Sequence, residues 1–182
     1  MLYASIHPTI VHQGDILSDC FFTALDSDTK IVETSLSGTE IKESPDSVLF
    51  SSESKKLVTN FKKSLGIVIT QTCDIQRRDF IQICPVFSLE SLKTEISKSW
   101  DANRVNNHLG QLKNGKLGYY FYLPEVTLDD YHLDESCIDL QLVTSVRRES
   151  ILNYPRLVAL SDVGRHWLSF SLMSYYGRPF SE

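Results

Sequence analysis

The segment that most constrains the fold of this chain is an apolar run without polar alternation, Leu65–Ile69. A strand that is apolar on both faces must be covered on both sides, so this run predicts a central strand of a sheet. The polar stretch Thr70–Asp74 follows directly, and Arg77 and Arg78 come soon after it. Because polar side chains at the end of a buried strand lie at the rim of a core, where sites are often built, we expect the functional site there.

The composition predicts one globular domain over residues 1–182, with 42% apolar and 23% charged residues. No stretch reaches the roughly 18 uninterrupted apolar residues of a membrane helix, and the amino-terminal residues lack the basic and apolar regions of a secretion signal. The four cysteines are scattered, without Cys-x-x-Cys spacing, which fits reduced thiols. We therefore expect a cytoplasmic protein that does not enter a membrane and carries no cofactor.

Hydrophobic periodicity predicts a mainly β protein with added helices, an α+β fold. Strands are expected at residues 15–25, 57–70, 80–87, 119–124 and 138–146, and a weak hairpin with a long surface loop at 26–54. A helical insertion of two helices is expected at about 89–118, capped by Ser88 and ending at the Asn114-Gly115 turn. A C-terminal helix is expected from Ser161 to Tyr176, with Ser161 or Asp162 as its N-cap, and its many apolar residues indicate that it is well packed. Together these elements describe a small, strongly bent sheet or barrel.

Four segments, in this order, resemble the PemK/MazF-like toxin family. They are the turn Gln13–Ile16, the buried strand Gly66–Gln71, a strand with a late proline, Ile81–Ser88, and the strand Ile138–Val146 before the terminal helix. The resemblance implies an SH3-like barrel, a homodimer, and a metal-independent endoribonuclease that cleaves single-stranded RNA. It further implies a bacterial or phage protein from a toxin–antitoxin or phage-defence setting, with an antitoxin as a protein partner.

The chain departs from the family pattern at two positions that matter for catalysis. The family has an Arg-Pro pair before the central strand, and its arginine contributes to catalysis; Ser64-Leu65 stands at that place here, just after Lys62 and Lys63. The family's threonine after the proline of the third strand is approximated by Ser88, one position late. The second predicted function is therefore a catalytically inactive module that binds a protein or nucleic-acid partner, with the inserted helices around Leu92–Leu112 as its surface.

Metal-free RNA cleavage needs a base for the 2′-hydroxyl, a cation for the charge on phosphorus and a donor for the leaving oxygen. We assign Asp74 as the base, Arg77 or Arg78 as the cation, and Thr72 or Ser88 as the donor, with Cys73 in the same catalytic set. An arginine fork matches two phosphate oxygens at once. Substrate-binding residues are predicted from the charged and polar side chains expected nearby: Asp15, Lys62, Lys63, Arg78 and Ser88.

Other interpretations of the same residues stay open. Asp74 can instead cap a tight turn beside two solvated arginines. Cys73 can be a small packed residue at a strand end, or a nucleophile activated by a distant histidine, or a metal ligand with Asp74. The aromatic run Tyr119–Tyr122 fits core packing better than base stacking, and His166 and Trp167 are expected to be packing residues. We assign no metal site.

Overall fold

The computed structural model of the chain describes residues 1–7, 9–24, 30–34, 41–43, 55–58, 60–128 and 131–177. It contains two compact units, one formed by Met1–Cys20 with Ser64–Glu182 and the other by Phe21–Lys63. Organisation as one domain stays a prediction, and each unit is described by itself. None of the helices in the described ranges has the length and apolar character needed to span a bilayer.

The first unit is built on a strongly curled, half-barrel sheet, which confirms the predicted α+β class. Its strands among the described residues are β1 (Tyr3–Ala4), β2 (Asp15–Ala24), β6 (Asn60–Val68), β7 (Phe80–Ser88), β8 (Tyr120–Leu123), β11 (Ser136–Asp139), β12 (Thr144–Arg147) and β13 (Arg156–Leu160). Their order in the sheet is β1-β13-β2-β6-β7-β11-β8, and β12 also pairs with β7. A separate pair, β9 (Val126–Leu128) and β10 (Tyr131–Leu133), forms a small antiparallel sheet.

The predicted central strand is β6, which pairs antiparallel with β7. Ile67 and Val68 in β6 are fully buried, as the unbroken apolar run predicts. Ile67 shares a core with residues from the neighbouring strands and the last helix, namely Ile16, Val86, Ile138, Leu160 and Leu168. Burial of this kind stabilises the folded state by about 25 cal/mol for each Å² of apolar surface removed from water. The buried residues therefore hold β6 in the centre of the sheet.

The single strand predicted at Ile138–Val146 is wrong: the segment forms two strands, β11 and β12. The Asp139 carboxylate accepts a hydrogen bond from the Gln141 backbone N–H at 2.9 Å and turns the chain between them. Both strands pair with β7, but Cys84 and Pro85 have no register partner in either of them. Proline has no N–H to donate. The gap between β11 and β12 therefore lies opposite the part of β7 where fewest hydrogen bonds are lost.

The helical insertion is confirmed as α2 (Leu89–Ile96) and α3 (Ala102–Lys113). Ser88 caps α2 through a hydrogen bond that its hydroxyl oxygen accepts from the Ser91 N–H at 3.1 Å. Asp101 caps α3 in the same way, accepting from the Arg104 N–H at 3.0 Å. After α3 the chain turns at Gly115, whose φ of 65° favours glycine. The Ser88 cap and the glycine turn are the local signals from which the insertion could be predicted, whereas the Asp101 cap was not recognised.

The predicted C-terminal helix is α5 (Asp162–Tyr176), and of the two candidate caps it is Ser161 that caps it. It lies against the first strand through Gly164, where an added Cβ would come within 2.4 Å of the Leu2 carbonyl oxygen. The expectation that this helix is packed along most of its apolar residues is wrong. Leu168 is buried, but Trp167, Phe170 and other apolar residues on α5 remain more than half exposed, because the sheet covers only one side of the helix.

The second unit contains a three-stranded sheet in the order β4-β3-β5. Its strands are β3 (Lys30–Thr34), β4 (Ile41–Glu43) and β5 (Lys55–Val58). The antiparallel pair of β3 and β4 matches the hairpin predicted at 26–54. The remaining residues of 26–54, where a long surface loop is predicted, lie outside the described residues.

Candidate functional site

The site is built where β6 leaves the sheet. The Gly14 N–H donates to the Val68 carbonyl at 2.8 Å, and the Ile69 N–H donates to the Gln82 carbonyl at 3.0 Å. The Thr70 hydroxyl oxygen then accepts the Gln82 N–H at 2.7 Å, where the strand ladder stops. A side chain thus replaces a backbone acceptor, so the chain can turn away at this point without leaving Gln82 unpaired.

A single helical turn, α1 (Thr72–Ile75), follows the strand end. The Gln71 carbonyl accepts the N–H groups of Asp74 and Ile75, and the buried Ile75 side chain anchors the turn to the core. The short helix α4 (Arg148–Ile151) supplies a second attachment, since the Arg148 guanidinium donates to the Gln76 carbonyl at 2.7 Å. The polar residues of this turn are therefore held by backbone bonds on two sides.

A cleft of about 670 Å³ separates this turn from one side of α5. Its volume is within the roughly 300–1,000 Å³ of typical ligand sites. One wall carries residues from the end of β6 through β7 and from β12: Ile69, Thr70, Gln71, Asp74, Arg78, Phe80, Gln82 and Ser145. The other wall is α5, which contributes His166, Ser169, Phe170, Leu172, Met173 and Tyr176. The cleft lies within the first compact unit.

Gln13 joins the two walls at the base of the cleft. Its side-chain amide donates to the Ile69 carbonyl at 2.9 Å and accepts the Ser169 hydroxyl at 2.9 Å. Its backbone N–H donates to the Thr72 hydroxyl oxygen at 3.1 Å. Gln13 is buried, so these bonds are shielded from competing water. One residue therefore sets the spacing between the strand end, the α1 turn and α5.

The charged pair of the cleft is Asp74 with Arg78. The Arg78 guanidinium lies 3.2 Å from the Asp74 carboxylate, one helical turn away, and both side chains are solvent-accessible. An accessible pair of this kind contributes little to stability, about 0–1 kcal/mol, so its groups are free to meet a ligand at low cost. Arg77 is exposed and does not line the cleft.

Two other predicted catalytic residues, Thr72 and Cys73, belong to the α1 turn but do not line the cleft. Thr72 supports the site through its bond with Gln13 and does not line the cleft. Cys73 is exposed, and its thiol lies 3.9 Å from the Gln71 side-chain oxygen, so the alternative interpretation of a packed cysteine is wrong. Its side chain leaves the core because the strand has already ended and α1 has begun.

Two predicted binding residues have structural roles. Ser88 caps α2 beside a different cleft, which is lined by residues of the insertion. Asp15 is 1% exposed and accepts the His12 N–H at 2.9 Å, with the Arg156 guanidinium 3.8 Å away. Lys63 is exposed and lies in the first half of β6. The side chain of Lys62 lies outside the described residues.

Asp15 is electrostatically unusual. Burial raises the pKa of its carboxyl above the ordinary value, and the His12 hydrogen bond and the Arg156 charge only partly oppose that rise. Its second carboxylate oxygen has no hydrogen-bond partner in the described part of the chain. With almost no accessible surface, Asp15 acts on the Gly14 turn and offers little to a ligand.

Several cleft residues were missed by sequence reasoning, above all His166. His166 and Trp167 were expected to be packed, but both side chains are exposed, and His166 lines the cleft. The available signal was spacing on α5: His166, Ser169, Met173 and Tyr176 recur at three to four residues and so share one side of the helix. Which side faces the strand end could not be read from that spacing.

The described residues hold no cluster of three or more His, Cys, Asp or Glu side chains arranged for a metal ion. No protein-family model matches the chain, and no curated protein matches it. The resemblance to the PemK/MazF-like family therefore stays a prediction from the sequence.

Proposed function

We propose that the cleft between the α1 turn and α5 binds single-stranded RNA and cleaves it without a metal ion. The observation that carries this proposal is the Asp74–Arg78 pair in one cleft with His166 and with exposed aromatic rings. A carboxylate, a guanidinium and an imidazole can supply the base, the cation and the proton donor that metal-free cleavage requires. The resemblance of the strand order to ribonuclease toxins points to the same reaction.

The aromatic residues support a single-stranded ligand. Phe80 on one wall is 54% exposed, and Phe170 and Tyr176 on the other are 54% and 57% exposed. Exposed rings are costly in water, and bases of single-stranded nucleic acids stack on such rings without requiring a particular sequence. Bases paired in a duplex have no free faces for this contact. The amide side chains of Gln71 and Gln82, also at the cleft, can donate to and accept from base edges.

The proposed reaction is an internal transfer at phosphorus. Asp74 takes the proton of the ribose 2′-hydroxyl, and the 2′-oxygen forms a bond to phosphorus. The bond from phosphorus to the 5′-oxygen breaks, and protonated His166 gives that oxygen its proton. Arg78 donates to the phosphoryl oxygens as negative charge gathers on them. The products are a 2′,3′-cyclic phosphate and a 5′-hydroxyl, so no water, metal or oxidant enters the first step.

A binding module without catalysis is the second function, favoured by one observation. Ser64 and Leu65 occupy the place where the resemblance puts a catalytic arginine. In that case the cleft binds an RNA or protein partner but lacks the charge needed for the transition state. A toxin–antitoxin or phage-defence setting, an antitoxin partner and a homodimer belong with the first proposal, because they follow from the same resemblance.

The test is cleavage of a long mixed-sequence RNA by the purified full chain in EDTA. We expect discrete fragments with cyclic phosphate ends, and losses of about 10²–10⁴-fold for Asp74→Asn and His166→Gln. The matched control for His166→Gln is His132→Gln, which changes an exposed histidine that does not line the cleft. A third variant, Arg78→Gln, has Arg104→Gln as its matched control. Cleavage that survives Asp74→Asn and His166→Gln contradicts the assignment. RNA binding without cleavage by the unmodified chain favours the binding module.

A further inference from the structure

Phe80 is close to two arginines from distant parts of the sequence, Arg147 through strand pairing and Arg77 along the chain. Arg147 is the register partner of Phe80 across β7 and β12, and its guanidinium carbon lies 5.9 Å from the centre of the Phe80 ring. Arg77 is in the turn that leads into β7, three residues before Phe80. We call Arg77, Phe80 and Arg147 the arginine edge. Because Phe80 also lines the cleft, this edge begins where the cleft opens.

The backbone holds this edge together. The Arg148 N–H donates to the Asp79 carbonyl at 2.9 Å, and the Arg148 guanidinium donates to the Gln76 carbonyl. The turn that carries Arg77 is thus fastened to the end of β12 that carries Arg147. The backbone positions of Arg77 and Arg147 relative to Phe80 are therefore set by the strand pairing and by these two bonds.

The charges of the arginine edge are available to a ligand. In the part of the chain that the structure describes, neither Arg77 nor Arg147 forms an ion pair with a carboxylate, whereas Arg78 pairs with Asp74 and Arg148 with Glu149. Asp79 and Glu149 are the acidic residues that adjoin the edge in sequence. Arginines without ion-pair partners beside an exposed ring combine the two contacts that single-stranded nucleic acids use, phosphate binding and stacking.

We propose that RNA leaving the cleft passes over Phe80 and binds the arginine edge through its backbone phosphates. This inference rests on the proposed function, and it names the substrate class: oligonucleotides that extend beyond the scissile position, as opposed to dinucleotides or free nucleotides. A cleft ligand alone satisfies Asp74, Arg78 and His166 but leaves Arg77 and Arg147 without a phosphate. The negative net charge of −5 for the whole chain makes such a local cationic edge necessary for attracting a polyanion.

The test uses 2′-O-methyl RNA, which lacks the reacting hydroxyl and so reports binding alone. A fluorescently labelled trinucleotide and an oligonucleotide of about ten nucleotides are titrated with the full chain at several salt concentrations. For the longer RNA we expect tighter binding and a steeper salt dependence. Each phosphate contact contributes about 0.7 to the slope of log K against log salt, so Arg147→Gln should lower the slope by about 0.7 and Arg77→Gln with Arg147→Gln by about 1.4.

Controls separate this inference from the function on which it rests. Lys98→Gln removes the same charge at a residue paired with Glu95 in the insertion, and should leave the slope unchanged. Arg147→Lys keeps the charge and should restore the slope. If the longer RNA binds but its salt slope is the same in Arg147→Gln and the unmodified chain, the arginine edge is wrong while the cleft function stands. If neither RNA binds the unmodified chain, both are wrong; binding with the expected slopes but no cleavage of ordinary RNA removes only the catalytic proposal.

Discussion

Replacing Gln13 by alanine should separate the two walls of the cleft. The Gln13 amide is the link between the Ile69 carbonyl at the strand end and the Ser169 hydroxyl on α5. Alanine at this position keeps the backbone bond to Thr72 but removes both side-chain bonds. The substitution therefore tests whether one buried amide positions the site.

The magnitude follows from what each lost bond leaves behind. The Ile69 carbonyl is left without its side-chain donor next to the core, which costs about 1–3 kcal/mol. Ser169 is only half buried, and its hydroxyl can turn to water, so its loss is nearer the net value of an ordinary hydrogen bond, about 1 kcal/mol. We expect Gln13→Ala to lower the free energy of unfolding by about 2–4 kcal/mol in total.

The assay is urea unfolding followed by tryptophan fluorescence. Both tryptophans, Trp100 and Trp167, belong to the compact unit that contains the cleft, so the signal reports that unit. With a slope of about 2 kcal/mol per molar urea, the expected loss moves the midpoint of unfolding by about 1–2 M. Ser169→Ala is the matched control; it leaves the buried Gln13 side-chain oxygen without its donor, so the expected loss is about 1–3 kcal/mol.

A double-mutant cycle gives the decisive result. Once Gln13 is alanine, Ser169→Ala should cost nearly nothing, because the bond between the two residues is already absent. A loss below about 0.5 kcal/mol for Gln13→Ala, or full additivity of the two substitutions, would refute the bridging role.

Three further predictions concern residues around the site. Burial raises the pKa of the Asp15 carboxyl above its unfolded value of about 3.9, so the folded chain keeps this proton to a higher pH than the unfolded chain does. The free energy of unfolding, taken relative to that of Asp15→Asn, should therefore fall as the pH rises between the two pKa values. A relative rise over that window, measured by urea titrations at several pH values, would show that the Arg156 charge prevails over burial. Gly14→Ala should destabilise by about 1–3 kcal/mol in urea, because φ is 87° and the new Cβ meets Leu160 at 2.9 Å; an unchanged midpoint contradicts this turn geometry. Of the four thiols, Cys73 alone is exposed in the structure, so a thiol reagent should label one cysteine rapidly in the folded chain and all four in urea; rapid labelling of more than one refutes the assigned burial.

Local signals in the sequence were sufficient for most of the elements. The apolar run of β6 identified a buried central strand, and the caps Ser88 and Ser161 marked where α2 and α5 begin. These signals succeed because capping and periodicity act within a few residues. The prediction of one strand after Ile138 failed because the apolar pattern there runs on without a break. The Asp139 carboxylate nevertheless binds a nearby backbone N–H and turns the chain.

Only one wall of the candidate site could be predicted from the sequence. The rim of Asp74 and Arg78 could be located because it follows a buried strand directly. The opposite wall could not, since His166 is 92 residues further along the chain than Asp74 and nothing near it in the sequence marks it as a site residue. The arginine edge was also hidden, because Arg147 meets Phe80 only through the pairing of β12 with β7.

The sequence by itself determined the α+β class, the central strand, the capped helices and the polar turn at the end of β6. Tertiary structure decided which side of α5 faces that turn and which apolar residues stay exposed. The physical reason is that α5 carries apolar residues on more than one side, so periodicity leaves its orientation open. Contacts made by Leu168 with the core, by Gly164 with Leu2 and by Ser169 with Gln13 select one orientation, and that orientation brings His166 to the cleft.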